Sequence, residues 1–357
     1  MPLGAKATSL ATVLDDLTAE GAAELTELLP EDSLRCFACG HRCLIKEGKR
    51  GICKVRFNQG GHLRVPVNYV AALQCDPTEK KPFFHVLPGS DTLTFGMLGC
   101  DLHCAYCQNW LTSQALRDDA AVSTPSVVSP ERLVAMARAY GASMVGSSYN
   151  EPLITAEWAV DVFKQAKPAG FHTAFISNGN ATPQVLDYLR PWTDCYKIDL
   201  KSMSDRNYRQ LGGVVDNILE TVKMVHERGF WEEIVTLLIP GFNDSEDELK
   251  RAADFIASIS PNIPWHVTAF HQDYRMNDHA NTTAEQLIRA CEIGRDAGLR
   301  YIYAGNLPGK VGRWENTYCP QCDALLVERY GYLIQQMKVT SQGKCPSCQQ
   351  NIPGIWS

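Results

Sequence analysis

The 357-residue sequence has no long apolar run and no excess of positive charge. No window approaches the roughly 18 apolar residues of a membrane span, and residues 1–30 lack the basic start and apolar core of a secretion signal. The net charge of -6 disfavours a protein built mainly to neutralise nucleic-acid phosphates. We therefore expect a soluble cytoplasmic protein that contacts no membrane, and a nucleic-acid partner is disfavoured but not excluded.

Disulfide bonds are not the expected role of the 14 cysteines, because the chain is large and lacks a secretion signal. Most of the cysteines fall into three compact groups, which indicates metal sites. Cys75, Cys195 and Cys291 stand apart in apolar or helical surroundings, where buried and inert thiols are usual. We assign these three no function.

The central cysteine group makes the most specific chemical demand in the chain. An apolar, β-branched run at residues 92–98 is followed by Cys100, Cys104 and Cys107 at Cys-x3-Cys-x2-Cys spacing. A [4Fe-4S] cluster contains four irons and is normally held by four cysteines. Three ligands on one loop would leave one iron open to a ligand that is not protein.

The first cysteine group predicts a second metal site. Cys36, Cys39, Cys43 and Cys53 lie on two predicted turns. Four thiols in this arrangement can clamp a tetrahedral zinc, and they can equally hold an iron site or an auxiliary cluster. We favour a small structural knuckle over a redox role, because small loop-rich segments are often held together by metal.

The last cysteine group has the pattern of a zinc ribbon. Cys319, Cys322, Cys345 and Cys348 form two Cys-x2-Cys knuckles on either side of a predicted hairpin. This arrangement brings four thiolates to one tetrahedral zinc. Because the segment carries no basic stripe, we favour a role in folding the tail over binding to nucleic acid or protein.

Between the terminal cysteine groups, apolar strands alternate with amphipathic helices, which predicts parallel βα units in an open or partial barrel. The predicted strands are residues 92–98, 143–149, 172–177, 195–200, 233–239, 266–270 and 300–303. The predicted helices are residues 130–139, 156–167, 183–189, 217–227, 245–258 and 283–297. Leucines at helical spacing predict a further, leading helix between Leu10 and Leu29.

Polar side chains stand at the carboxyl ends of successive predicted strands, where parallel βα folds place functional residues. These polar runs are residues 147–152, 177–180, 199–201 and 240–244, and the sixth strand contains His266 and ends near His271. Each has an ordinary explanation as a turn, a helix cap or a hydrogen-bonded core histidine. Because such polar runs recur at successive strand ends that face one cysteine loop, they predict a functional site at this end of the barrel.

The central cysteine motif, in which Tyr106 precedes the third cysteine, resembles the signature of the radical S-adenosylmethionine (SAM) enzymes. Together with the first four polar runs, it resembles the corresponding elements of pyruvate formate-lyase activating enzymes. The run at residues 266–271 and both cysteine-rich ends resemble one particular branch, the AmmeMemoRadiSam system radical SAM enzymes. The resemblance extends over about residues 36–356.

This resemblance implies an α/β fold with a partial (β/α)6-type radical SAM barrel between small metal-binding ends. The expected parts are an N-terminal helical leader at residues 1–30, a Cys-rich segment at 31–90, the barrel at 91–310 and a zinc-ribbon-like domain at 311–357.

The resemblance also implies cofactors and their ligands. Cys100, Cys104 and Cys107 would ligate a [4Fe-4S] cluster, and the amino and carboxylate groups of SAM would occupy the open iron. On the adenine side of SAM, the resemblance implies contacts with Tyr106 and His266. The Asn150–Glu151 turn would meet the amino group, and Ser177 and Asn178 would meet the ribose or the carboxylate. Asp199 and Lys201 would lie beneath the methionine end. No catalytic residue beyond these is predicted.

The implied reaction is reductive cleavage of SAM to methionine and a 5'-deoxyadenosyl radical, which abstracts hydrogen from an unidentified substrate. The protein would hold the cofactor, tune the cluster and exclude water and oxygen. A low-potential donor such as flavodoxin or ferredoxin is an expected partner. The family name further implies Memo-like and AMMECR1-like proteins.

Three functions stay open. The protein could install a glycyl radical on a partner protein, or it could act on a small molecule or another macromolecule, and we favour the second. The contrasting hypothesis is a non-catalytic multi-zinc module that binds protein or nucleic acid. That module would account for both terminal cysteine groups, but it gives no reason for the three-cysteine loop or for the polar strand ends.

Overall fold

The structure, a computed structural model, describes residues 10–357. Its central element is an eight-stranded sheet against which most of the helices pack, with small antiparallel sheets before and after it. No helix in the described part of the chain is long and apolar enough to cross a membrane.

The N-terminal part contains one short helix and seven short strands. They are α1 (Leu10–Asp15), β1 (Thr18–Glu20), β2 (Thr26–Leu29), β3 (Ser33–Cys36), β4 (Leu44–Ile45), β5 (Phe57–Gln59), β6 (His62–Pro66) and β7 (Tyr69–Val70). Strands β1, β6 and β5 form one antiparallel sheet, and β2, β3 and β4 form another. These two sheets carry the first cysteine group.

The predicted helix over Leu10–Leu29 is wrong, because α1 ends at Asp15 and strands occupy much of the remainder. Hydrogen bonding of β1 to β6 and of β2 to β3 overrides the local helical spacing. The leucines also do not share one face, since Leu25 is fully buried whereas Leu28 is 76% exposed. Residues 1–9 of the predicted leader lie outside the described residues.

The barrel part holds nine strands and eight helices. The strands are β8 (Ala72–Pro77), β9 (Asp91–Gly96), β10 (Ser126–Val127), β11 (Met144–Ser147), β12 (His172–Ser177), β13 (Cys195–Asp199), β14 (Trp231–Leu238), β15 (Trp265–Ala269) and β16 (Ile302–Gly305). The helices are α2 (Trp110–Ser113), α3 (Pro130–Ala139), α4 (Ala156–Ala166), α5 (Pro183–Leu189), α6 (Asp205–Leu211), α7 (Val215–Glu227), α8 (Glu246–Ile259) and α9 (Ala284–Asp296).

The order of the large sheet is β16-β15-β14-β13-β12-β11-β9-β8, and all neighbours are parallel except the antiparallel pair β8 and β9. Since β16 and β8 are the two edges, the sheet curves as a partial barrel and does not close. The predicted α/β fold with a partial barrel is confirmed, and its seven strands and six helices occur within a few residues of their predicted bounds. Strand β8 and helix α6 were not predicted.

Local sequence explains why the helices begin where they do. Side chains of Ser129, Thr182 and Ser245 each accept a hydrogen bond from a backbone N–H in the first turn of α3, α5 and α8. Thr283 forms a capping box with Gln286 at the start of α9. Each cap satisfies a backbone N–H group that would otherwise have no partner and so fixes the residue at which the helix begins.

The C-terminal part closes the open edge of the barrel. Strands β17 (Thr317–Tyr318), β18 (Leu325–Tyr330) and β19 (Leu333–Met337) form an antiparallel sheet that contains the predicted hairpin. From β18, Arg329 donates hydrogen bonds to the Phe84 carbonyl oxygen and to Thr317 Oγ1, both at 2.8 Å. Val86 also forms a β-bridge with Ile355. The chain between β8 and β9 is thereby fixed to the tail.

A buried ion pair attaches the N-terminal part to the barrel. The guanidinium of Arg56 donates to both carboxylate oxygens of Glu157 on α4, at 2.6 and 2.8 Å, and its Nε donates to Cys36 Sγ at 3.2 Å. The side chains of Arg56 and Glu157 are only 1% and 7% exposed. A charge at this depth is tolerated only while its partner is present.

Substitution Glu157→Gln should therefore lower the free energy of unfolding by about 3–5 kcal/mol, because it leaves Arg56 buried without its counter-ion. Urea denaturation followed by circular dichroism measures this loss. Asp254→Asn, which breaks the exposed Lys250–Asp254 pair, is the matched control and should leave the midpoint unchanged. Equal losses in the two variants would contradict this explanation.

Candidate active site

A cavity of about 410 Å³ opens within the barrel, between the cysteine loop and the polar strand ends. Its lining contains every residue predicted for the central site: Cys100, Cys104, Tyr106, Cys107, Asn150, Glu151, Ser177, Asn178, Asp199, Lys201 and His266. A volume of this size suits a small-molecule ligand. The structure thus brings together residues that are up to 166 positions apart in the chain.

The cysteine loop leaves β9 through Gly99, whose backbone has a φ of 93°. A Cβ at this position would lie 3.1 Å from the Cys53 carbonyl oxygen, so glycine lets the loop pack on the N-terminal part. Burial raises the pKa of the three loop thiols, that of Cys104 to about 12. Thiolates in such surroundings require a bound cation.

The donor set of the loop fits an iron-sulfur cluster. Apolar side chains that include Ile239 and Phe270 surround the three thiols. The backbone N–H of Leu102 points at Cys100 Sγ from 3.4 Å, and Ser113 Oγ lies 3.2 Å from Cys107 Sγ. Sulfur ligands, hydrogen bonds to sulfur and a dry environment are the features that hold such a cluster and set its potential.

Asp101 attaches the cysteine loop to the neighbouring strand end. Its carboxylate is fully buried and accepts hydrogen bonds from Asn178 Nδ2 at 2.7 Å and Asn180 Nδ2 at 2.8 Å. The ring Nε2 of His41 lies 3.1 Å from the Asp101 carbonyl oxygen. Sequence reasoning missed Asp101, although it lies between two of the predicted cluster ligands, and it included Asn180 only as a member of the polar run 177–180.

Asn150 and Glu151 connect three strand ends rather than projecting freely into the cavity. Asn150 Oδ1 accepts a hydrogen bond from the Met97 backbone at 3.0 Å. The carboxylate of Glu151 accepts from Ser177 Oγ at 2.8 Å and from the Asn178 backbone at 2.7 Å. Burial and the nearby Asp101 raise the pKa of Glu151 to about 8.

A Lys-Asp-Lys group covers the adjoining wall. Lys197 and Lys201 both donate to the carboxylate of Asp199, the latter at 3.4 Å. Burial alone would raise the pKa of Asp199, but the two ammonium groups lower it below its ordinary value. Lys197 was not predicted. The signal that could have found it is strand alternation, because every second residue of a strand faces the same side and residues 197, 199 and 201 are spaced in this way.

Tyr106 and His266 lie in different parts of the cavity lining. Tyr106 is buried beside the cysteine loop, with its ring 5.9 Å from that of Phe242 in an edge-on arrangement. His266 lies near the start of β15, where its Nε2 is 2.7 Å from a carboxylate oxygen of the buried Glu233 and its ring meets Phe84 edge-on. The adenine contacts of Tyr106 and His266 stay predictions.

The two terminal cysteine groups differ in how closely their sulfurs approach. In the last group, Cys319, Cys322, Cys345 and Cys348, all four Sγ atoms lie within 4.8 Å of one another. A tetrahedral zinc with 2.3 Å bonds places its sulfurs about 3.8 Å apart, so this group can bind a metal without rearrangement.

The first cysteine group does not meet this criterion. Cys36 ends strand β3, and Cys39, Cys43 and Cys53 lie in the loops on either side of β4. Among residues 10–357, however, the last group alone brings its ligand atoms within 4.8 Å. Metal binding by the four N-terminal thiols stays a prediction.

Comparison with known proteins agrees with this geometry. The family model described as the Radical SAM superfamily matches residues 95–256. An uncharacterized protein of Methanocaldococcus jannaschii is 34% identical over 329 residues, which cover 91% of this chain and 97% of that protein. The pyruvate formate-lyase 1-activating enzyme of Escherichia coli is 28% identical over 205 residues, which cover 54% of this chain and 80% of that enzyme.

Solved structures resemble parts of the chain. A domain of a pyruvate-formate lyase-activating enzyme from Bacteroides vulgatus has 25% sequence identity and a TM-score of 0.41, covering 46% of this chain and 100% of that one. A radical SAM methyltransferase from Sphaerobacter thermophilus has 17% identity and a TM-score of 0.46, covering 68% of this chain and 72% of that one.

Substitution Asp101→Ala should loosen the cysteine loop, because it leaves the side-chain amides of Asn178 and Asn180 buried without their acceptor. Each unsatisfied donor costs about 1–3 kcal/mol. We expect a lower urea midpoint and a reduced iron content after anaerobic reconstitution. Asp205→Ala, at the exposed Asp205–Arg209 pair, is the control. An unchanged iron content in the Asp101 variant would show that the loop does not need this anchor.

Proposed function

Because the chain belongs to the radical SAM superfamily, we propose that Cys100, Cys104 and Cys107 ligate a [4Fe-4S] cluster whose open iron binds SAM. One observation carries this proposal: the three thiols line the same cavity as the polar ends of the next strands. When bound, the cluster and SAM supply a 5'-deoxyadenosyl radical that abstracts hydrogen from a substrate.

The surrounding residues would bind and orient SAM. We assign the SAM amino group to the Asn150–Glu151 turn, where the buried carboxylate already aligns Ser177 and the Asn178 backbone. The Lys197-Asp199-Lys201 group carries one net positive charge and would face the methionine carboxylate. Tyr106 would lie near the adenine and His266 on its far side. These residues fix SAM in one orientation and keep water out of the cavity.

The reductant and substrate follow from the same proposal. The cluster needs a low-potential electron, for which flavodoxin or ferredoxin is the expected donor. We favour a small molecule or another macromolecule as substrate, with Memo-like and AMMECR1-like proteins as partners. The alternative is activation of a glycyl radical enzyme, and the identity to the Escherichia coli activating enzyme is the observation in its favour.

We assign zinc to the C-terminal cysteine group. Its four sulfurs lie close enough for one tetrahedral ion, and the hairpin between the two knuckles packs on the barrel edge through Arg329. A closed four-sulfur site of this type has a structural role. For the N-terminal group, zinc and an iron site both stay open.

Anaerobically reconstituted protein should form 5'-deoxyadenosine and methionine when SAM and dithionite are added. The variant Cys104→Ala should lose this activity, since two remaining thiols on the loop cannot hold the cluster. Liquid chromatography with mass spectrometry quantifies both products, and Cys75→Ala, outside the cavity, is the matched control. No 5'-deoxyadenosine from iron-loaded wild-type protein would contradict the proposal and favour the multi-zinc module.

Cys345→Ala should release zinc from the C-terminal part, because the remaining three thiolates bind the metal less tightly and the segment depends on it for folding. Plasma mass spectrometry should find about one zinc fewer per chain than in wild type, while the iron content stays the same. Limited proteolysis should then cut within residues 311–357. Retention of all the zinc would contradict this assignment.

A further inference from the structure

The cavity has a second region that the proposed SAM contacts leave unused. We name it the β8 lobe and define it by Glu79, Lys80, Lys81 and Phe84, which follow strand β8, and by Asn306 and Tyr332. It adjoins the edge strand β8, three strands along the sheet from β12, whose end carries Ser177 and Asn178. A substrate bound there would share one cavity with SAM.

Lys81 brings a buried positive charge to this lobe. Its side chain is only 6% exposed, and its Nζ donates hydrogen bonds to Asp76 Oδ2 at 2.9 Å and Tyr149 Oη at 3.0 Å. The other oxygen of Asp76 accepts from Lys80 Nζ at 3.0 Å. Two ammonium groups thus share one carboxylate, which leaves one net positive charge. An ammonium has three donors, so Lys81 keeps one for a ligand.

A chain of hydrogen bonds runs from Lys81 through two hydroxyl groups to a backbone carbonyl oxygen. Lys81 donates to Tyr149 Oη, Tyr149 lies 2.9 Å from Thr94 Oγ1, and Thr94 donates to the Gln74 carbonyl oxygen at 3.3 Å. The last acceptor is a carbonyl oxygen, which cannot donate. The hydroxyl groups of Thr94 and Tyr149 therefore both donate their hydrogen in the direction away from Lys81. Tyr149 Oη is therefore the acceptor in its hydrogen bond with Lys81 Nζ.

The backbone at Tyr149 is held in an unusual conformation to make this contact. Its φ is 67°, in the left-handed region that bulky residues rarely adopt. Gly96 permits it, since a Cβ there would lie 2.8 Å from Tyr149 Cβ and 2.5 Å from the Ser148 carbonyl oxygen. Strain of this type concentrates at binding sites. Tyr149 also directly precedes Asn150, so the lobe adjoins the SAM site.

Glu79 is the acidic side chain of the lobe, and the positive charge of Arg329 on β18 opposes its own. Glu79 Oε1 accepts a hydrogen bond from the Gly89 backbone. Within the described chain, the buried Oε2 has no hydrogen-bond partner.

We propose that the β8 lobe binds an oxyanion group, a carboxylate or a phosphate, of the substrate, with Lys81 as its counter-ion. This inference rests on the proposed function, because it assigns the substrate end of the same cavity. An anion-binding lobe favours a small anionic substrate, or an anionic group of a larger one. It disfavours the uncharged backbone glycine on which a glycyl-radical activating enzyme would act.

Anaerobic equilibrium dialysis of reconstituted protein against labelled inorganic phosphate and labelled succinate tests this proposal. Wild type should bind at least one of the two anions, and Lys81→Met should bind it about tenfold more weakly, the loss of one charged hydrogen bond. Lys164→Met, which removes an exposed lysine from α4, should bind as wild type does. Binding of phosphate alone or of succinate alone identifies the oxyanion.

Two results would overturn the inference: no binding of either anion by wild type, or equal binding by Lys81→Met. Lys81→Arg separates charge from packing, because it should restore most of the affinity, and unrestored affinity also contradicts the proposal. Dialysis against labelled SAM runs in parallel. Anion binding without SAM binding overturns the proposed function alone, whereas SAM binding without anion binding overturns the β8 lobe alone.

Discussion

The buried carboxylate of Asp101 is the interaction on which the site depends. It lies inside the cysteine loop and holds the amides of Asn178 and Asn180, so the loop and the end of β12 form one rigid unit. Glu151 extends this unit by binding Ser177 and the Asn178 backbone from the end of β11. The cavity walls are thus positioned by buried, fully directional hydrogen bonds before any ligand enters.

The two cysteine-rich ends support this centre from opposite sides. The N-terminal part packs under the loop at Gly99 and is fixed to α4 by the buried Arg56–Glu157 pair. The C-terminal part closes the open barrel edge, where Arg329 binds the Phe84 carbonyl oxygen. Both parts therefore contribute walls or supports to the cavity, in addition to their predicted metals.

Much of the barrel was predictable, because strand and helix periodicity acts through neighbouring residues. The residues of the central site were predicted from the carboxyl-end rule together with the resemblance to radical SAM enzymes. All eleven residues predicted for the central site line one cavity. The missed features depend on distant partners: Asp101 binds side chains more than seventy positions away, and β8 joins the sheet only by pairing with β9. The leading helix failed for the same reason, since β1 gains its hydrogen bonds from β6.

We propose that one iron of the cluster is open and binds the amino group of SAM. Electron-nuclear double resonance of the reduced, reconstituted protein, recorded with SAM carrying ¹⁵N in that amino group, detects this bond. Wild type should show a ¹⁵N coupling at the cluster that unlabelled SAM does not give. A reduced cluster that shows no such coupling while SAM is bound would exclude SAM as the ligand of the open iron.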